Sequence, residues 1–229
     1  GKNIYCLKSQ YAQTLSRKIV LTAHGLTGSP KEFIHQMARN YFLDRGYDVC
    51  RMAFYSGEDD ARTLQDCDLN VHAADLNSVI KALKQDYDDI YVAGHSYGGT
   101  TILYACPDVK ALAFWDPAAL PSWPNRLTHL PDCQAHIYPS NGVCKVIGQK
   151  MVDEARALTA DVISGKIKQI TSPSIVLLAE AEYLTNKGTN RKMVYDGLVC
   201  KKEFHFIPKA DHCFTVQMTV LDLLEKTYN

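Results

Sequence analysis

The sequence has no excess of charge of either sign, since 25 Lys and Arg stand against 25 Asp and Glu. A balanced chain lacks the bulk field by which proteins grip nucleic acid or an anionic membrane. Neither is expected as a partner. No apolar run approaches the roughly 18–20 residues that a membrane span needs. The opening stretch GKNIYCLKSQYAQ has no apolar core of the kind a secretory signal carries, although a removed signal would leave no trace. No repeat, low-complexity tract or Gly/Ser linker divides the 229 residues, a length that one α/β domain can occupy. None of the eight cysteines forms a C-x-x-C pair, and no Cys/His cluster has zinc spacing. They read as reduced, mostly buried thiols of a cytoplasmic protein, with Cys133 and Cys144 the pair to check for a bridge. H-E-x-x-H and G-x-G-x-x-G are absent, and Gly98-Gly99 is not followed by Gly-Lys-Ser/Thr. No metal, nucleotide or nicotinamide cofactor is therefore expected.

Short apolar runs alternate with longer helical patterns, the signature of parallel βα units. Ile19 to Ala23 reads as a strand buried on both faces. Ser29-Pro30-Lys31-Glu32 has the composition of a capping box. It opens a helix whose inward face is Phe33, Ile34, Met37, Ala38, Tyr41 and Phe42. A strand over 48–52 follows, then an amphipathic helix over 69–84 with Ala73, Leu76, Val79, Ile80 and Leu83 inward. Strands are expected at 90–93, 111–115, 174–179 and 203–207, and helices after Gly99 through Ala105, at about 150–163 and at 215–227. Between Pro117 and Gly148 the pattern is irregular and rich in Pro, Trp and Tyr.

Gly94-His95-Ser96-Tyr97-Gly98 fits G-x-S-x-G, and here it joins an apolar strand to a helical pattern. That context is what a nucleophile elbow requires. The glycines let the backbone pass close to its neighbours while the hydroxyl projects from a tight turn. The helix behind it aims unpaired N–H groups at the site, where they favour developing negative charge.

These residues resemble the α/β-hydrolase superfamily. His24-Gly25-Leu26-Thr27-Gly28 is similar to that family's oxyanion loop, residues 94–99 to its elbow, and Ala210-Asp211-His212-Cys213-Phe214 to its histidine loop. The stretch 166–173, followed by a strand, resembles the approach to its acid-bearing strand. The look of residues 24–32 is similar to small serine carboxylesterases of the feruloyl/cinnamoyl esterase and monoacylglycerol lipase kinds. The resemblance implies an α/β-hydrolase fold, with a mostly parallel central sheet, helices on both faces and a short cap at about 117–165. It implies Ser96 as nucleophile and His212 as general base and then acid, with the backbone N–H groups of Leu26 and Tyr97 holding an oxyanion. Two carboxylates are candidates for the third member. Glu182, after the strand ending at Ala179, takes the position where many relatives carry Asp, and is the first choice. Asp116, in Trp115-Asp116-Pro117-Ala118, is the alternative, because certain lipases place their acid after the preceding strand.

His24 and His95 sit within motifs and are expected to serve packing and hydrogen bonding. His35, His72, His129, His136 and His205 read as surface or strand histidines. Trp115 and Trp123 are candidates to shape the substrate pocket, and residues 117–148 could form a lid. The expected activity is hydrolysis of a small-molecule carboxylic ester through an acyl-enzyme. A thioesterase or C–C bond hydrolase would use the same triad, and a ligand-binding protein could be built on the same scaffold.

Overall fold

The computed structural model describes residues 2–11, 16–140, 142–183 and 186–229. In chain order the elements begin with β1 (Tyr5–Ser9), β2 (Lys18–Ala23), α1 (Phe33–Leu43), β3 (Asp48–Ala53), α2 (Leu69–Leu83) and β4 (Asp89–His95). Next come α3 (Tyr97–Ala105), β5 (Ala111–Trp115), β6 (Thr128–Leu130), β7 (Ala135–Ser140), β8 (Val143–Gly148), α4 (Gln149–Ala157) and α5 (Ala160–Ile167). The chain finishes with β9 (Ser174–Ala179), α6 (Glu180–Tyr183), α7 (Asn186–Gly197), β10 (Lys202–Ile207) and α8 (Gln217–Tyr228). The main sheet has the order β1-β3-β2-β4-β5-β9-β10. All its pairings are parallel except β1 with β3, an antiparallel edge.

Alternation along the buried strands divides the core. Val20, Ala93, Ala113, Leu177 and Ala179 face α1 and α8, where Ile34, Ala38, Phe42, Val220 and Leu223 meet them. Leu21, Val92, Leu112, Val176 and Leu178 face the other way, onto α2, α3, α5 and α7. Each of these inner strands therefore buries both faces, as parallel strands under two helical layers must. The expected inward face of α2 is buried throughout, and Asp68 caps its N-terminus by accepting from the Val71 amide at 2.8 Å.

Several local expectations are corrected. The sequence Ser29 to Glu32 forms a turn and no capping box. Ser29 Oγ accepts from the Lys31 amide, Glu32 stays extended (ψ 153°), and α1 starts only at Phe33, which is exposed. The helix expected over 150–163 is two helices, since Thr159 accepts from the Val162 amide and starts a new one. The stretch read as irregular contains the antiparallel sheet β6-β7-β8. His35 and His72 are buried, His35 near the Trp115 ring and His72 stacked on Phe54 at 4.2 Å. No disulfide joins the eight cysteines, but only Cys50 and Cys67 are fully buried, whereas Cys6, Cys133, Cys144 and Cys213 are exposed. Among the described residues no helix is long and apolar enough to cross a membrane.

Candidate active site

The ends of β4, β5 and β10 converge at one edge of the sheet. Ser96 follows β4 directly with φ 54° and ψ −117°, a strained conformation for a residue with a side chain. Two glycines make this turn possible. A Cβ on Gly94 would come within 2.6 Å of the Gly98 backbone, and one on Gly98 would run into the carbonyl oxygen of Ala23. The turn is stitched to the next strand, because the Ser96 amide donates to Trp115 O and the Ser96 carbonyl accepts from the Gly99 and Ala118 amides, all at 3.0 Å. Gly25 of the loop after β2 passes close above, where an added Cβ would lie 3.2 Å from that of Ser96.

His212 arrives on the loop after β10. Lys209 and Phe214 both take positive φ, and the fully buried Phe214 ring anchors the turn. Glu180, just past β9, accepts from the Lys209 amide at 2.7 Å, and the Ala181 amide donates to Ala210 O at 3.0 Å. His95 Nε2 donates to the main-chain oxygen of His212 at 2.7 Å. The imidazole of His212 is thereby held with Nε2 2.9 Å from Ser96 Oγ and Nδ1 2.5 Å from Asp116 Oδ2.

The carboxylate at Nδ1 thus belongs to Asp116, the alternative, in place of Glu182, the first choice. Asp116 follows β5 in a left-handed turn (φ 46°) that swings its side chain toward the histidine loop. Its amide donates to Leu177 O at 2.8 Å, and its Oδ1 accepts from the Ala179 amide at 3.3 Å. Glu182 falls in α6, one strand further on, and its side chain lies outside the described residues. Arg191 of α7, which sequence reasoning did not single out, also reaches Asp116, with Nη1 3.1 Å from Oδ2.

A cavity of about 440 Å³ opens over Ser96 and His212. Its lining includes Leu26, Thr27 and Tyr97 together with residues 118–123, Arg126, Tyr138 and Ser140. Thr27 Oγ1 and Ser140 Oγ share a 2.9 Å hydrogen bond that ties the loop after β2 to the small sheet. Tyr97, Trp123 and Tyr138 form a run of edge-to-face rings spaced 6.3 and 6.2 Å apart. Arg126 extends the run by lying over Tyr138 and donating to its hydroxyl. Trp123 therefore borders the cavity. Trp115 does not. Its ring is fully buried toward α1 and α8, with Nε1 donating to Thr227 Oγ1 at 3.0 Å, because odd positions near the end of β5 face that layer.

Electrostatics distinguish the histidines. Burial lowers the His95 pKa to about 3, with the charge of His212 acting in the same direction. Burial likewise lowers His24 to about 4, against a smaller opposing effect of its bond to Gly25 O. His24 Nδ1 donates to that oxygen while Nε2 accepts from the Phe54 amide, which fixes a neutral tautomer. Both rings brace the loops around Ser96 without titrating near neutrality. Glu32, released from its expected cap, lines the cavity, and burial raises its pKa. Among the described residues no group of three or more His, Cys, Asp or Glu side chains is placed to hold a metal ion. The arrangement can pass a proton from a hydroxyl to an imidazole whose new charge faces a buried carboxylate.

A model of the alpha/beta hydrolase family matches residues 19–220. The structure is similar to that of Est1E from Butyrivibrio proteoclasticus with ferulic acid bound, at 17% identity and a TM-score of 0.79, covering 98% of this chain and 94% of that one. It is also similar to a putative hydrolase from Agrobacterium vitis S4, at 14% identity and a TM-score of 0.76, covering 98% and 92%. A third similar structure is the monoacylglycerol lipase of Paleococcus ferrophilus, at 16% identity and a TM-score of 0.72, covering 98% and 96%. No curated protein sequence matches the chain.

Proposed function

Because the chain belongs to the alpha/beta hydrolase family, we propose that it hydrolyses carboxylic esters through an acyl-enzyme, with Ser96 as nucleophile, His212 as base and Asp116 as the acid. The observation that carries this reading is the unbroken chain Ser96 Oγ, His212 Nε2, His212 Nδ1, Asp116 Oδ2, with links of 2.9 and 2.5 Å, at the floor of a cavity. Oγ attacks the ester carbonyl carbon as its proton passes to Nε2. The backbone N–H groups of Leu26 and Tyr97, both bordering the cavity beside Ser96, receive the oxyanion. Collapse breaks the C–O bond, and the departing alkoxide takes the proton from Nε2. Water then attacks the acyl group with Nε2 again as base, releasing the acid and restoring Ser96.

The aromatic run from Tyr97 through Trp123 to Tyr138 supports an aryl or medium-length acyl group as the natural occupant. That Est1E is seen with ferulic acid and that another similar structure is a monoacylglycerol lipase fits a small-molecule ester as substrate. The test is covalent labelling by a fluorophosphonate, together with turnover of a panel of acyl and aryl esters, in the wild type and in Ser96→Ala. Labelling and turnover are expected in the first and neither in the second. Labelling that persists in Ser96→Ala would remove Ser96 from the role.

A further inference from the structure

Helix α7, on the connection from β9 to β10, brings a cation to Asp116. Arg191, in the middle of α7, is 7% exposed. Its Nη1 donates to the main-chain oxygen of Asp116 at 2.5 Å and stands 3.1 Å from Oδ2 of the same residue. That Oδ2 is the atom that accepts from His212 Nδ1. One guanidinium thus holds both the backbone and the side chain of the residue that orients the imidazole.

Two features of Asp116 call for such a grip. It has no exposed surface, and burying a carboxylate is costly unless it is both paired and hydrogen-bonded. The Ala179 amide serves Oδ1 and the imidazole serves Oδ2, but neither brings a permanent positive charge. Asp116 also adopts a left-handed conformation unfavourable to a residue with a Cβ, so its turn must be held from outside. An arginine suits the task, because its planar fork presents several donors in fixed directions, whereas a lysine ammonium is a point charge.

We propose that Arg191 is a positioning residue: by holding the carbonyl and the carboxylate of Asp116 together, it fixes the turn that presents Oδ2 to His212. The inference rests on the Ser96–His212–Asp116 reading above, and assigns to β9 and α7 the support of the acid rather than its supply.

Arg191 borders the cavity, so a free guanidinium ion can reach the space its removal would open. The experiment compares wild type, R191A, R191K and R191Q. It measures the rate of fluorophosphonate labelling, which needs no knowledge of the substrate, and kcat and KM on one turned-over ester. In R191A, labelling and kcat are expected to fall on the order of 100-fold with little change in KM, the scale of a small misplacement of a catalytic group. Millimolar guanidinium chloride is expected to recover part of that loss, with sodium chloride at equal ionic strength recovering none. R191K is expected to fall between wild type and R191A. Undiminished labelling in R191A, or a loss that guanidinium leaves untouched and R191K shares in full, overturns the role of Arg191. Should R191A not fold, R191K and R191Q, which keep the bulk of the side chain, carry the comparison, and equal rates in those two overturn it as well. A wild type that is neither labelled nor active would sink the underlying triad reading and the inference with it, a result distinct from loss of the Arg191 effect alone.

Discussion

Replacing Asp116 by asparagine changes one atom at the most constrained point of the site. Oδ1 accepts from the Ala179 amide, and Oδ2 accepts from His212 Nδ1 beside Arg191 Nη1. An asparagine has one acceptor oxygen and one donor nitrogen for these two positions. With its nitrogen toward His212, it confronts the Arg191 donor and forces the imidazole into the tautomer whose Nε2 carries a proton. That nitrogen can no longer take the proton of Ser96. With its oxygen toward His212, its nitrogen faces the Ala179 amide, a buried clash of donors that costs about 1–3 kcal/mol. In either orientation the imidazolium formed during attack has lost its counter-charge. Asp116→Asn is therefore expected to lower kcat by about 10³–10⁴-fold, or about 4–5 kcal/mol of barrier. Glu182→Gln, which changes none of these named partners, is expected to stay close to wild type. The assay is steady-state turnover of an aryl ester alongside fluorophosphonate labelling, with far-UV circular dichroism to verify folding. A folded Asp116→Asn that keeps more than about a tenth of wild-type kcat, a loss of only about 1.4 kcal/mol, would refute the argument. So would a collapse of activity in Glu182→Gln, which would return the acid to the end of β9.

The remaining predictions concern the frame around the site. Burial lowers the pKa of His24, His72 and His95 to about 4, 3 and 3, below the 6.5 of an exposed histidine. The folded state thus binds fewer protons than the unfolded chain below pH 6.5, so the stability is intact above that pH and declines as acid is added toward the folded-state values. At pH 5 each ring costs about 2 kcal/mol, and the three together up to about 6 kcal/mol. Urea midpoints at pH 7.5 and pH 5 check this, and coincident midpoints would show that the rings are not held neutral. Gly98→Ala drives a Cβ against the Ala23 and His24 carbonyl oxygens, which are backbone and cannot step aside. It is expected to cost about 3 kcal/mol of stability, read as a lowered melting temperature, and a wild-type melting curve would contradict the close packing of the elbow.

The parts of the site that could be read from the sequence are those whose signal is contiguous. The elbow announces itself because strand, Gly94, Ser96, Gly98 and helix must follow one another for the turn to close, and Ala210 to Phe214 is similarly local. The acid has no such signature. Asp116, Glu180 and Glu182 all follow strands, and hydrophobic periodicity does not record which strand end turns left-handed toward the histidine. Glu180 proves to hold the Lys209 amide, a use of a strand-end carboxylate that sequence spacing does not distinguish from catalysis. Arg191 carries no sequence signal because a buried arginine is recognised by its partner, and the partner lies 75 positions away. Nearness to Asp116 in the chain points to Trp115 as a pocket residue. Along a strand, adjacent side chains point to opposite faces, and only tertiary packing decides which face each meets. The small sheet β6-β7-β8 is hard to see in the sequence because β6 has only three residues and Pro139 sits within β7, which weakens the strand pattern. The edge strand β1, mostly exposed, lacks the apolar face that betrays a strand.

The double stitch between the Ser96 carbonyl and the Gly99 and Ala118 amides has an evolutionary corollary. It closes before the excursion through β6, β7 and β8 begins, so the spacing of hydroxyl and carboxylate is set by neighbouring strands and not by the small sheet whose Tyr138 and Ser140 border the cavity. The small sheet is in effect an interchangeable part: it could be lengthened or trimmed while the Ser96 hydroxyl and the Asp116 carboxylate kept their places.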